Sequence, residues 1–261
     1  MNGNWILERV NETRSTNDDL MSRWRSGQLI DPVARLAKYQ THGKGRAGRV
    51  WHAAPNDSLS FSLAFPFNKT PSELSGLSLL AGLAVIDGLC AALNTNEPML
   101  HECGLRLKWP NDLMIGNAKF GGILIEGGQA TPQEPSWMVV GVGINLRSTQ
   151  LQTINTEPIA SINQFLSPGD KLPDPEWIWL KLIDAFERAL IEFDERGFAP
   201  FVERWSHWDA YQGKAVFTQT SAQNGIEGIA SGINASGAYL IQTPSELLTV
   251  HAGDVSLREK R

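Results

Sequence analysis

Between Pro32 and Asn56 the chain carries Arg35, Lys38, Lys44, Arg46 and Arg49 and no carboxylate. Inside that stretch lies Gly43-Lys44-Gly45-Arg46-Ala47-Gly48-Arg49. Glycines let backbone N–H groups approach an anion, and the cations neutralise it. Lys108-Trp109-Pro110-Asn111-Asp112 ends a strand on a proline and turns on Asn-Asp, so a cation, an amide and a carboxylate meet at one strand end. Lys119 stands at the entrance to the apolar run Phe120-Gly121-Gly122-Ile123-Leu124-Ile125-Glu126. Gly141-Val142-Gly143-Ile144-Asn145-Leu146 is a strand whose glycines leave room for a ligand, or for a bulge. Singly, each has a plain structural reading: a solvated loop, a strand-to-turn transition, an edge lysine with its stem on apolar surface. Together they favour electrostatic catalysis on a phosphate-bearing substrate.

Other chemistries lack their parts. The basic loop matches GxGxxG in form, but a dinucleotide fingerprint needs a helix directly afterwards and an acidic residue about 20 positions on. Here Val50-Trp51-His52-Ala53-Ala54-Pro55-Asn56-Asp57 follows, then an alternating strand. No Lys-Ser or Lys-Thr closes a P-loop, so a third kind of anion site is expected, a mobile basic loop between two strands. There is no HExxH and no GxSxG. His101-Glu102-Cys103 is too compact for a metal set, and His42, His52, His207 and His251 form no pattern. No protein-held metal is expected.

The elements that must position these residues are legible in part. At 261 residues, 42% apolar and 20% charged, the chain is long enough for one or two domains with a full core. A formal charge of −5 argues against general nucleic-acid binding. The apolar stretch Leu74–Leu93 is interrupted by Asp87 and reads as a buried helix, not a membrane span. Cys90 and Cys103 form no framework, and Met1–Val10 has no signal-peptide core, so a cytoplasmic protein is expected. Ser15 or Thr16 caps a helix that Gly27 ends. Thr70-Pro71-Ser72-Glu73 is a capping box expected to open the apolar helix, and Asp174-Pro175-Glu176 opens a third. Leu59–Phe65 alternates with period two, predicting one buried face; Arg106–Trp109 alternates too. Gly122–Glu126 and Met138–Val142 read as central strands, and Arg147–Pro175 as a long loop region. After Tyr211 short strands alternate with turns such as Asn224-Gly225 and Ser236-Gly237. The expectation is an α+β domain over 1–210 followed by a small β-barrel over 211–261.

Four motifs stand in order: Arg14-Ser15-Thr16-Asn17, Gln40 to Trp51, Lys108 to Leu113, and Lys119 to Glu126. In this order and spacing the chain resembles the biotin–protein ligases. The resemblance implies a mixed β-sheet catalytic domain of the biotin/lipoate-ligase and class II synthetase type, with a small β-barrel behind it. It implies activation of biotin by MgATP to biotinyl-5′-AMP. Transfer to a specific lysine of a biotin carboxyl carrier protein would follow, and the family admits a homodimer.

Residue by residue, the resemblance implies that Ser15, Thr16, Asn17 and Gln40 bind the biotin head group. Lys44, Gly45 and Arg46 would fold over the biotin carboxylate and the phosphates. Lys119 would contact the activated carboxyl oxygen and α-phosphate. Arg46 and Arg49 would hold ATP phosphates, with Trp51, Asn111 and Asn145 beside the nucleotide. Asp112 would line the reaction centre and help deprotonate the incoming lysine. Many relatives carry arginine where this chain has Lys44, which keeps the charge and loses the planar fork. Only Met1–Arg14 precede Ser15, so an enzyme without a DNA-binding domain is expected. Two rivals stay open: a lipoate–protein ligase on the same scaffold, and a non-catalytic biotin-binding sensor.

Overall fold

The computed structural model describes residues 5–148, 158–167, 169–220, 225–252 and 255–259. Seven strands form one mixed sheet: β1 (Ile6–Thr13), β2 (Val33–Gln40), β3 (Ser58–Phe67), β4 (Leu105–Lys108), β5 (Asp112–Ile115), β6 (Ala118–Gly128) and β7 (Ser136–Asn145). Their order is β1-β2-β3-β7-β6-β5-β4; β1 and β2 are parallel and every other pair is antiparallel. The two apolar runs expected as central strands, β6 and β7, lie inside the sheet and pair Gly121 with Ile144 and Glu126 with Val139.

Helix α1 (Thr16–Arg25) covers one face of this sheet. Ser15 caps it, accepting from the Asp18 N–H, with Asp18 and Asp19 in the first turn and Arg23 and Arg25 in the last. Glu8 of β1 pairs with Arg23 and with Arg35 of β2, and Arg35 also reaches Asp19, so three elements fix where α1 begins. Burial pushes the Glu8 carboxyl up, but hydrogen bonds from the two guanidiniums outweigh it and hold it below the usual carboxylate range.

The opposite face carries α2 (Leu77–Leu93) and α4 (Pro175–Arg196), the latter capped by Asp174 as expected. Phe186 and Phe193 of α4 meet Phe61 and Phe67 of β3 edge to face. Here two expectations need correction. Leu59–Phe65 is buried on both faces, not one. Leu59, Phe61 and Leu63 face the helical core, while Ser60 and Ser62 are buried on the face that carries α1. The Thr70 capping box does form, but it opens only a 3-10 turn, Pro71–Leu74. Gly76, at φ +88, breaks the path, and α2 starts after it; a Cβ there would overlap Phe198.

Short helices α3 (Glu97–Glu102) and α5 (Val202–His207) flank the core. The β-rich tail is an antiparallel sheet ordered β11-β10-β9-β8-β12, with β8 (Ala215–Thr220), β9 (Glu227–Ile233), β10 (Tyr239–Gln242), β11 (Leu247–Val250) and β12 (Val255–Glu259). Asn224 of the expected turn lies outside the described residues, as do 149–157 and 168 of the expected long loop. The described part of that loop is ordered against β6: Lys119 N donates to Pro158 O and Ala160 N to Lys119 O, both at 2.9 Å.

The two sheets meet at the Lys108–Asp112 turn. Trp109 is 1% exposed, donates to Gly237 O at 3.0 Å and packs on Tyr239 at 5.5 Å between ring centroids. Tyr239 in turn donates to Asp209 Oδ2 at 2.7 Å. Burial pushes the Asp209 carboxyl up to about 6. Among the described residues, no helix is long and apolar enough to cross a membrane.

Candidate functional site

A cavity of about 320 Å³ opens on the α1 side of the sheet, over β3, β7 and β6. Every site residue anticipated from the sequence lines it: Ser15, Thr16, Asn17, Gln40, Lys44, Gly45, Arg46, Arg49, Trp51, Asn111, Asp112, Lys119 and Asn145. These positions come from the start of α1, from β2 and the loop after it, from the β4–β5 turn and from β6 and β7, so their convergence is a product of topology.

One end of the cavity is a buried polar wall. Thr16 N donates to Gln40 Oε1 at 2.7 Å, and Thr16 Oγ1 lies 3.0 Å from the same oxygen. Ser62 Oγ is 2.7 Å from Thr16 Oγ1 and donates to Asn17 Oδ1 at 2.6 Å. Asn17 Nδ2 donates to Glu126 Oε2 at 2.9 Å. Ser15, Thr16 and Asn17 are each at most 3% exposed, so this wall is desolvated polar surface whose groups face one another.

The other end is cationic. Residues 43–51 fold back on themselves: Gly45 N donates to Arg49 O at 2.7 Å and Trp51 N to Gly43 O at 2.9 Å. Between them Arg46–Gly48 makes a 3-10 turn. The expected loop between two strands is therefore a closed arch. Arg46 Nη1 donates to Asn111 Oδ1 at 3.2 Å, and Asn111 Nδ2 to Ile123 O at 2.8 Å, tying the arch to the Lys108–Asp112 turn. Lys44 pairs with Asp18 in the first turn of α1. Lys119 Nζ donates to Asp112 Oδ1 at 2.6 Å and lies 5.8 Å from the Trp51 ring centroid. Asn145 Nδ2 is spent on the carbonyls of Lys119 and Ala160, both at 3.1 Å, so it fixes the backbone that carries Lys119.

The strand glycines have a specific use. A Cβ at Gly143 would overlap the Trp51 indole, and one at Gly141 would overlap the Asn17 amide. The room they leave is filled by two site side chains. Trp51 Nε1 is buried with no protein acceptor, a donor that a ligand can satisfy. Among the described residues no group of three His, Cys, Asp or Glu side chains could hold a metal ion.

Residues 10–145 match the model of the biotin/lipoate A/B protein ligase family, and residues 213–258 match that of the biotin protein ligase C terminal domain. A biotin–[acetyl-CoA-carboxylase] ligase of Mycobacterium tuberculosis is 33% identical over 251 residues, spanning 95% of this chain and 88% of that protein. The chain belongs to the biotin protein ligase family.

This biotin protein ligase is also 30% identical over 246 residues to the bifunctional ligase/repressor BirA of Escherichia coli, spanning 94% of this chain and 71% of that one. Its structure matches a biotin protein ligase from Aquifex aeolicus in complex with biotin and ATP, with a TM-score of 0.77 at 26% identity. The match covers 97% of this chain and 99% of the other. Ser62, His52 and Asp18 belong to the site and were not anticipated. Ser62 had a signal: it sits on the polar side of an alternating strand whose neighbours are all buried. His52 and Asp18 follow motif residues directly, and nothing local marks them.

Proposed function

We propose that this biotin protein ligase activates biotin with ATP and passes the biotinyl group to a lysine of a biotin carrier protein. In the first step a biotin carboxylate oxygen attacks the α-phosphorus of ATP. The bond from that phosphorus to the bridging oxygen of the β-phosphate breaks, giving biotinyl-5′-AMP and pyrophosphate. In the second, the neutral amine of the acceptor lysine attacks the acyl carbon and AMP leaves. The observation that carries this reading is one cavity with a desolvated amide-and-hydroxyl wall at one end and Lys119, Arg46 and Arg49 at the other. A cyclic urea needs paired donors and acceptors when buried, and a reacting carboxylate–phosphate pair needs cations.

In this reading Ser15, Thr16, Asn17 and Gln40 hold the biotin head group. Lys119 and Arg46 stabilise negative charge that grows on the α-phosphate and the carboxyl oxygen. Arg46 and Arg49 hold the phosphates, with Trp51, Asn111 and Asn145 beside the nucleotide. Lys44 and Gly45 complete the arch over the carboxylate. Asp112 accepts a proton from the incoming lysine, whose ordinary pKa of about 10.4 leaves it charged at neutral pH. The arch over an acyl-adenylate excludes water and so prevents hydrolysis before transfer. Mg2+ would be carried by the ATP phosphates, as is usual for such sites, and Asp112, the carboxylate among the residues lining the cavity, would be the one to hold it. It would supply further charge neutralisation there.

The acceptor is a carrier such as the biotin carboxyl carrier protein of acetyl-CoA carboxylase. We divide the chain into a catalytic unit, 1–210, and a C-terminal unit, 211–261. Neither Cys90 nor Cys103 lines the cavity, so acyl transfer through a cysteine has no nucleophile there. Incubation with biotin, MgATP and a purified carrier domain tests the reading by intact mass. One biotinyl adduct on the carrier lysine, dependent on ATP, is expected. A carrier that stays unmodified in the presence of folded enzyme contradicts it.

A further inference from the structure

The polar wall holds three oxygen–oxygen contacts: Ser62 Oγ to Asn17 Oδ1 at 2.6 Å, Ser62 Oγ to Thr16 Oγ1 at 2.7 Å, and Thr16 Oγ1 to Gln40 Oε1 at 3.0 Å. Two hydroxyls supply two protons for them. Gln40 cannot supply a third, because its Oε1 is fixed as the acceptor of the Thr16 backbone N–H. Asn17 could supply one if its amide were turned over, with Nδ2 against Ser62. Each contact would then hold a proton, donated in sequence from Asn17 to Ser62, Thr16 and Gln40.

Glu126 prevents this. Its Oε2 lies 2.9 Å from Asn17 Nδ2, and an ionised carboxylate only accepts. Such charge-assisted bonds are stronger than neutral ones. With Nδ2 held toward Glu126, Oδ1 faces Ser62. Ser62 must then donate to Asn17, and the one Thr16 proton serves Gln40 or Ser62 but not both. One of the two Thr16 contacts is left without a proton of its own. Two oxygens then face each other with no hydrogen between them, in a wall where Thr16 is 3% and Gln40 8% exposed. An N–H from a ligand relieves that arrangement; a ligand without one leaves it unsatisfied.

We propose that Glu126 is a positioning residue that sets the direction of this hydrogen-bond chain and thereby makes the wall select a ring N–H, as in the urea of biotin, over an acid lacking one, such as lipoate. The inference rests on the reading that the cavity takes biotin. Glu126 is not among the residues lining the cavity and acts through Asn17.

The test is a set of variants assayed by ATP–pyrophosphate exchange, with folding checked by circular dichroism. Glu126→Ala releases the Asn17 amide; KM for biotin rises about 10-fold to 100-fold, with KM for ATP and kcat little changed. The preference for biotin over lipoate falls with it. Asn17→Asp puts two carboxylates face to face and loses more. Asn17→Asp combined with Glu126→Gln restores the direction. The amide introduced at position 126 donates to the carboxylate introduced at position 17, whose second oxygen accepts from Ser62. Most of the biotin affinity therefore returns. A double variant no better than Asn17→Asp, or Glu126→Ala with unchanged KM for biotin, overturns the role of Glu126 alone. Wild-type enzyme that binds no biotin overturns the reading of the cavity, and this inference with it.

Discussion

Lys119 Nζ donates to Asp112 Oδ1 at 2.6 Å, across the neighbouring strands β6 and β5. The cation assigned to the adenylation step is thus held by the carboxylate assigned to the transfer step. In that proposal the two half-reactions share one ion pair, and mutation is expected to separate them.

Lys119→Ala removes the cation proposed to meet charge growing on the α-phosphate. Pyrophosphate release falls by about 100-fold or more. The pair is partly solvated, with Lys119 31% and Asp112 18% exposed, so the fold survives. Timed pyrophosphate-release assays on a variant with wild-type circular dichroism check this. Normal release in that variant removes Lys119 from the mechanism.

Asp112→Asn keeps shape and a weaker acceptor but not the base. Adenylate still forms, while transfer from preformed biotinyl-5′-AMP to the carrier slows by about 10²-fold to 10⁴-fold at neutral pH. The loss shrinks as pH approaches the pKa of the acceptor lysine. Equal losses in both half-reactions at every pH would show that Asp112 only orients Lys119.

Arg46→Gly cuts the bond from the arch to Asn111 and removes a cation proposed to hold the phosphates. The intermediate then leaves or hydrolyses faster than it is transferred, and AMP appears without carrier modification. The check is the ratio of AMP formed to carrier biotinylated. A ratio that stays at unity removes the water-excluding role of the arch.

Gly143→Ala places a methyl group in the Trp51 indole. A central strand cannot shift easily, so the indole moves. KM for ATP rises more than KM for biotin, since the polar wall begins at Gly141 and Asn17. Fluorescence of Trp51 in this variant, compared with Gly143→Ala/Trp51→Phe, reports the displacement. An equal rise in both KM values contradicts the placement of the nucleotide beside Trp51.

Asp209 makes stability fall with pH in a defined window. Its folded pKa is raised by burial to about 6, above the ordinary value of 3.8. From about pH 4 to about pH 6 the unfolded chain has lost this proton and the folded chain keeps it, so unfolding is increasingly favoured; above that the effect is constant. Asp209→Asn flattens this part of the profile, seen as urea midpoints at pH 4 and pH 7. The same slope in the variant assigns it to other groups.

Much of the site was legible because each motif is local: a cap, a glycine-rich basic loop, a strand end, a lysine before an apolar strand. What escaped was long-range. Ser62 meets Thr16 and Asn17 across 46 and 45 positions, and Glu126 meets Asn17 across 109. β1 carries no fully buried position and pairs with β2 only after α1 intervenes, so no local period marks it. Alternation in Leu59–Phe65 predicts one solvent-facing side, but Ser62 is buried in the polar wall against Thr16 and Asn17, and Ser60 is buried on the same face. The Thr70 capping box opens a 3-10 turn and not the long apolar helix, since Gly76 packs against Phe198 and redirects the chain.

The central claim, that this cavity adenylates biotin, is tested most directly by ATP–pyrophosphate exchange with purified enzyme and biotin, lipoate, octanoate or no acid. Exchange that requires biotin is the result predicted. Exchange driven by lipoate would keep the chemistry and overturn the substrate, and no exchange from a folded chain that still binds biotin would contradict the catalytic account.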